Sequence, residues 1–272
     1  MTTPMDITGK VAFITGAGQG IGRAVARAVA ARGAGCVVVV DRNGQAAESV
    51  ATELGGIGLQ CDVADATALG QAVATAEERL GRIDILVSNA GFGSGRLNLD
   101  DALAVPDELW TRMWEVHVMA HVHACRAALP GMLARGSGAL INVASAAGLL
   151  SQVGDTPYSV TKHAAVGLAE SLAITYGDRG IDVSVVCPQY VATAIVGMDE
   201  QGGPGTVPGV ISVEQAASAI VDGIVARRFM ILTHPEVLGY LQRKVEDPDR
   251  WLIGMRRLRE GLRAGDFPKG RK

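Results

Sequence analysis

Cysteine is sparse in this chain and carries no pattern. Cys36, Cys61, Cys125 and Cys187 are scattered over 272 residues with neither paired nor metal-type spacing. That excludes a disulfide framework and a cysteine-based metal knot, and it reads as small core residues in a reducing compartment. An excess of one charge sign is also missing: a formal net charge of −3 gives no electrostatic case for a nucleic-acid partner. No apolar run approaches membrane-spanning length and no signal-peptide pattern precedes Met5-Asp6-Ile7. No membrane partner is therefore expected, and a cytoplasmic location is. What the chain does have is 48% hydrophobic content and 35 glycines, enough for one large core in a single α/β domain.

Apolar runs that read as strands near 10–15, 36–41, 57–61, 84–88, 138–144, 181–187 and 229–232 alternate with helical patterns. The helices are expected near 20–32, 44–54, 66–80, 107–135, 156–178 and 212–227. This alternation demands a doubly wound, Rossmann-type parallel sheet of about seven strands with helices on both faces. Ligands of such sheets sit beyond the carboxyl ends of the strands, at the switch point. Gly16, Asp41, Asp62, Asn89, Ser145 and Pro188 all follow expected strand ends, so separate motifs converge on one edge. Residues 1–232 are expected to form the dinucleotide-binding and catalytic domain, including a Gly/Pro-rich substrate loop at 194–211. Residues 233–272 read as a helical extension packed on the same domain, with a basic end that is solvated after Arg263.

Two local arrangements carry the chemistry. Lys10 to Thr15 reads as a buried strand, followed by Gly16-Ala-Gly-Gln19-Gly20-Ile21-Gly22 and a helix. Strand, glycine turn and helix place backbone N–H groups and a positive helix end before an anion, so Gly16, Gln19, Gly20 and Ile21 are candidate pyrophosphate contacts. Nineteen residues after Gly22 a second strand ends in Asp41, where a carboxylate can take the adenosine ribose hydroxyls and repel a 2′-phosphate. Arg42 could instead clamp that phosphate, but Gln19 offers no basic help, and NAD is favoured over NADP. Further along stand Ser145, Tyr158 thirteen positions later and Lys162 four beyond that. Tyr158 and Lys162 share one helix face. An ammonium beside a phenol lowers its pKa from about 10, and reaching 7 takes roughly 4 kcal/mol. A tyrosine so tuned exchanges a proton with an alcohol/carbonyl pair.

Together these arrangements resemble the short-chain dehydrogenase/reductase family. The resemblance extends to Asp62-Val63, to Ser88-Asn89-Ala90-Gly91, to Asn142-Val-Ala-Ser145 and to Pro188-Gln-Tyr-Val191-Ala-Thr193. It implies that Asp62 and Val63 contact adenine, that Asn89, Ala90 and Gly91 border the cofactor, and that Pro188, Val191 and Thr193 hold the nicotinamide carboxamide. It further implies that Tyr158 exchanges the substrate proton, Ser145 orients the substrate oxygen, and Lys162 lowers the tyrosine pKa while binding the nicotinamide ribose. A homo-oligomer, dimer or tetramer, is the family's habit. The substrate expected is a small molecule: a neutral, fairly hydrophobic secondary alcohol or ketone, with Gly148, Leu149, Leu150, Gln152 and Val153 lining its pocket. An NADPH-dependent 3-oxoacyl thioester reductase and a catalytically silent dinucleotide sensor or scaffold are the alternatives.

The sequence departs from the family at three places. Ser88 replaces an asparagine, and Gln189 stands where glycine is frequent. His117 stands where the family has the asparagine of its Asn-Ser-Tyr-Lys tetrad, a residue that kinks its helix and holds a relay water through its carbonyl. His117 could hydrogen-bond locally and leave catalysis intact, add a titration near pH 6 to 7, or mark lost activity. His117 and His121 at i, i+4 have no matching Cys, Asp or Glu for a metal site, so no metal is expected. The resemblance instead places His121, His123 and Arg126 in a subunit interface.

Overall fold

The computed structural model describes residues 3–95, 97–193 and 209–265. Seven parallel strands form one sheet: β1 (Val11–Thr15), β2 (Cys36–Asp41), β3 (Ile57–Gln60), β4 (Ile85–Ser88), β5 (Gly138–Val143), β6 (Ile181–Val186) and β7 (Met230–Ile231). Their order is β3-β2-β1-β4-β5-β6-β7, so the chain reverses its direction of travel between β1 and β4. Connecting them are α1 (Gly20–Ala31), α2 (Gly44–Leu54), α3 (Ala66–Leu80), α4 (Asp107–Trp114), α5 (Ala120–Arg135), α6 (Ala147–Leu150), α7 (Thr156–Tyr176) and α8 (Val213–Val225). Two more helices, α9 (Glu236–Glu246) and α10 (Pro248–Arg263), follow β7.

Strand side chains alternate between two cores, as the two-residue period of a strand requires. Val11 and Phe13 face the core shared with α3, α5 and α7, while Ala12 and Ile14 face the one shared with α1, α2 and α8. Central strands buried on both faces read as continuous apolar runs for this reason. Helix starts are set by side chains: Asn43 accepts the Ala46 N–H, Asp65 accepts those of Thr67 and Ala68, and Ser212 forms a reciprocal cap with Gln215. Gly55, Gly81 and Gly136 close α2, α3 and α5 in the left-handed conformation. The extension is tied to the main body: Val237 of α9 is fully buried in the α5/α7 core, with Tyr240, Leu241 and Trp251 packed against it.

Two elements differ from the sequence expectation: the short helix α6 (Ala147–Leu150) lies where no helix is expected, and the long helix before β5 is interrupted. The helix expected over 107–135 is α4 and α5 joined by a π-helical turn, Glu115–Met119, with His117 buried at its centre. Such a turn accommodates an extra residue and re-aims its side chain, and it has no periodicity signature of its own.

Candidate active site

At the switch point the end of β1 and the end of β4 are stapled together. The Asn89 side-chain amide donates to the carbonyls of Thr15 (2.9 Å) and Gly16 (3.2 Å), and the Thr15 hydroxyl accepts from the N–H groups of Asn89 and Ala90. The approach leaves no room for side chains on the glycine turn. A Cβ on Gly22 would sit 2.3 Å from the Gly16 carbonyl oxygen, and one on Gly16, whose φ is +63°, would sit 2.8 Å from Ala90 Cα. Helix α1 begins behind Gln19 with no side-chain cap and no acidic residue in its first turn. The three helices just described are capped; this one presents its first N–H groups and positive end to the sheet edge. Those features fit a dinucleotide pyrophosphate, with Gly16, Gln19, Gly20 and Ile21 along the cradle.

The Asp41 carboxylate accepts from the Gly18 N–H and the Asn43 N–H, both at 3.0 Å. It therefore braces the glycine turn as well as standing at the position expected for ribose binding. Arg42 is exposed, and its carbonyl accepts from Gln60. Asp62 pairs with Arg112 of α4 at 2.6 Å. Partial burial disfavours its charge, but the Ala64 N–H and Arg112 win, holding its carboxyl below the usual range. The Val63 side chain lies in the core, which leaves only its backbone for an adenine.

Ser145, Tyr158 and Lys162 come together beyond the ends of β5 and β6. The Ser145 hydroxyl donates to the Pro188 carbonyl (3.3 Å) and accepts from the Ala147 N–H (3.1 Å). Pro188 also accepts from the Ala146 N–H at 2.7 Å, so the serine turn and the Pro188–Thr193 segment are one unit. Val191 and Thr193 are buried, and Val191 bridges to Ile211. The buried Lys162 ammonium donates to the Val143 carbonyl at 3.1 Å and lies 5.6 Å from the Tyr158 ring centre. A Cβ on Gly91 would stand 3.4 Å from that ammonium, so the Asn89-Ala90-Gly91 turn abuts the same group. Burial pulls the Lys162 pKa down to about 8.

The phenol does not behave as expected from the sequence. Burial pushes the Tyr158 pKa above 10; the Ser145 hydroxyl opposes the rise and the Asp155 carboxylate adds to it. In the protein alone, Lys162 does not offset that rise, because its ammonium is directed at the Val143 carbonyl while burial disfavours the charged phenolate.

The family model described as short chain dehydrogenase matches residues 10–202. The chain belongs to the short-chain dehydrogenase/reductase family. It is 39% identical over 193 residues to oxidoreductase UcpA of Salmonella typhimurium, covering 69% of this chain and 71% of that one. It is 37% identical over 194 residues to D-threitol dehydrogenase of Mycolicibacterium smegmatis, with coverages of 70% and 73%. Among solved structures, a short-chain dehydrogenase/reductase from Burkholderia phymatum in complex with NAD superimposes with a TM-score of 0.79. The identity is 30%, over 90% of this chain and 96% of that one.

Against the family pattern, His117 is a local hydrogen-bonding residue. Its Nε2 accepts from the Phe92 N–H at 3.1 Å, so its proton is on Nδ1, which donates to the Thr161 hydroxyl at 2.9 Å. The Thr161 hydroxyl in turn donates to the Pro157 carbonyl at 2.8 Å. Burial, the Lys162 charge and His121 hold the imidazole well below 6.5. It is neutral at physiological pH, which removes the expectation of an added titration near pH 6 to 7. His121 is not an interface residue. It is 1% exposed and its Nδ1 pairs with Asn142 Oδ1 at 3.0 Å inside the protein.

Three of the five expected pocket residues also point elsewhere. Leu149 and Leu150 of α6 pack into the α5/α7 core, and a Cβ on Gly148 would meet the Lys162 carbonyl oxygen at 2.5 Å. The short helix α6 turns them inward, a change of direction invisible in a run of apolar residues. Of the 194–211 substrate loop, 194–208 lie outside the described residues. The residue missed altogether is Asp155, buried at the start of α7 beside Tyr158. Its only sequence signal was a helix-capping position two residues before a proline.

Proposed function

We propose that the chain transfers hydride between NAD and a neutral, fairly hydrophobic secondary alcohol or its ketone. The observation that carries this reading is the convergence of Ser145, Tyr158 and Lys162 on the sheet edge that also holds the acid-free start of α1. What a bound dinucleotide supplies is hydride acceptance or donation at its nicotinamide ring. The protein supplies the rest. Tyr158 gives or takes the hydroxyl proton, Ser145 orients the substrate oxygen, and Lys162 holds the nicotinamide ribose and adds positive charge near the phenol. Positive charge is needed there, since burial alone opposes the phenolate. Asp41 supports NAD: its carboxylate stands at the turn and would repel a 2′-phosphate. Phe92, packed on the His117 ring that meets Tyr158, and Leu97 and Leu99 against Gly154 support an apolar substrate. Free cysteines and the exposed Trp114, Val160 and Ile174 of α4 and α7 support a cytoplasmic dimer or tetramer.

Calorimetric titration of NAD and NADP into wild type and Asp41→Ala tests the cofactor. NAD should bind more tightly, with discrimination relaxed in the variant. Tighter NADP binding would mean that Arg42 governs the site and would turn the reading toward 3-oxoacyl thioester reduction. Binding of neither would overturn it. Turnover of a panel of secondary alcohols, abolished in Tyr158→Phe, separates an enzyme from a silent dinucleotide sensor.

A further inference from the structure

Between β4 and α4 the chain is fastened to the surroundings of Tyr158 by three contacts. At its start, the Phe92 N–H donates to His117, and the two rings lie 5.2 Å apart. The His117 ring meets that of Tyr158 edge-on, with 5.6 Å between centres. In its middle, Ser94 donates through both N–H (3.1 Å) and hydroxyl (2.8 Å) to one oxygen of Asp155. Further along, the Asn98 N–H donates to the Gly154 carbonyl at 2.8 Å, and a Cβ on Gly154 would touch Leu97 and Leu99 at about 3 Å. Asp155 is 6% exposed, and its other oxygen accepts from the Tyr158 N–H at 3.3 Å. One carboxylate therefore caps the helix carrying Tyr158 and Lys162 and also holds a segment 61 residues away in sequence.

We propose that Asp155 is a positioning residue that locks residues 92–95 and 97–99 onto the start of α7, making them a fixed wall of the substrate pocket on the Tyr158 side. Two partly buried donors from Ser94 and one from Tyr158 converge on one carboxylate, and charge-assisted bonds of this kind are about twice as strong as neutral ones. A short hydroxyl or amide at this position could cap the helix but would not hold both Ser94 donors with a full charge. The lock has an electrostatic consequence. The charged or titratable groups around the phenol are Asp155 at the cap of α7, Lys162 on α7 and the neutral His117 on the π turn, with Cys187 behind Lys162. Asp155 is the anion among the groups acting on the phenol, and it disfavours the phenolate. This rests on the proposed role of Tyr158 as proton exchanger.

Hydrogen exchange followed by mass spectrometry on Asp155→Ala, Asp155→Asn and Ser94→Ala, in the absence of substrate, reads the lock without relying on activity. Asp155→Ala should raise exchange across 92–99 at least tenfold while leaving α1 to α3 protected. Asp155→Asn, which keeps the cap but offers Ser94 only a neutral acceptor, should restore part of the protection, and Ser94→Ala should also fall between Asp155→Ala and wild type. Unchanged exchange at 92–99 in Asp155→Ala would overturn the proposal, as would a collapse of protection throughout Asp155→Asn. An ultraviolet titration of the phenol, taken as the difference from Tyr158→Phe, should move to lower pH in Asp155→Asn; an unmoved midpoint would refute the electrostatic part. On an alcohol that wild type oxidises, Asp155→Ala should raise KM at least tenfold, and Asp155→Asn should shift the acidic limb of kcat/KM downward. Should wild type oxidise none, the Tyr158 reading fails while the exchange experiment still decides the lock.

Discussion

Replacing Lys162 by methionine should destroy turnover and yet stabilise the protein when no dinucleotide is bound. Lys162 is 3% exposed, its ammonium has one backbone acceptor among the described residues, and burial takes its pKa to about 8 in place of 10.5. That displacement corresponds to about 3 kcal/mol of stability forgone at pH 7. Methionine removes the buried charge but leaves the Val143 carbonyl without its donor, costing about 1 kcal/mol. A net gain of about 2 kcal/mol raises the Tm by roughly 5 °C for a chain of this size. The sign has a pH signature. A lysine whose folded pKa is lowered penalises the fold fully below pH 8, and the penalty fades as pH rises from 8 toward 10.5. Wild type should therefore gain on the variant over that window. Differential scanning fluorimetry of both proteins at pH 7, 8, 9 and 10 measures it. A variant no more stable than wild type at pH 7, with no convergence above pH 8, would refute the claim that Lys162 is held at the expense of stability.

Acid should unfold the protein partly through His121. Burial takes its pKa to about 3, so below 6.5 the unfolded chain binds more protons, and this group alone costs about 2 kcal/mol between pH 7 and pH 5. His121→Gln should flatten urea-melt stability over that range, and an unchanged slope would contradict the assignment. Ser88 carries a buried hydroxyl with no partner among the described residues. Ser88→Ala should leave the Tm unchanged or slightly raised; a fall of several degrees would reveal a bridging water. Gly22→Ala would drive a methyl to within 2.3 Å of the Gly16 carbonyl oxygen, and calorimetry should show dinucleotide binding weakened more than tenfold.

The sequence by itself determined the parts of this protein that are local. Strands buried on both faces announce themselves as runs such as Cys36–Asp41, the start of α1 as glycines that no other residue can replace, and the Tyr158/Lys162 pair as a four-residue step on one helix. Alternation of strand and helix then gathers the strand ends on one edge, because parallel strands allow no other route. Tertiary structure alone decided whatever depends on burial and on partners distant in sequence. Leu149 and Leu150 look identical whether they face a pocket or the core, and only the direction of α6 turned them inward. His117 could have titrated; Phe92 and Thr161, 25 and 44 residues away, made it a neutral hydrogen-bonding bridge. The direction of the Tyr158 shift followed from burial and a nearby carboxylate, and the Asp155–Ser94 lock from two segments that meet only in the fold. Periodicity and spacing report a residue's neighbours along the chain, whereas its charge state is set by the neighbours that packing brings to it.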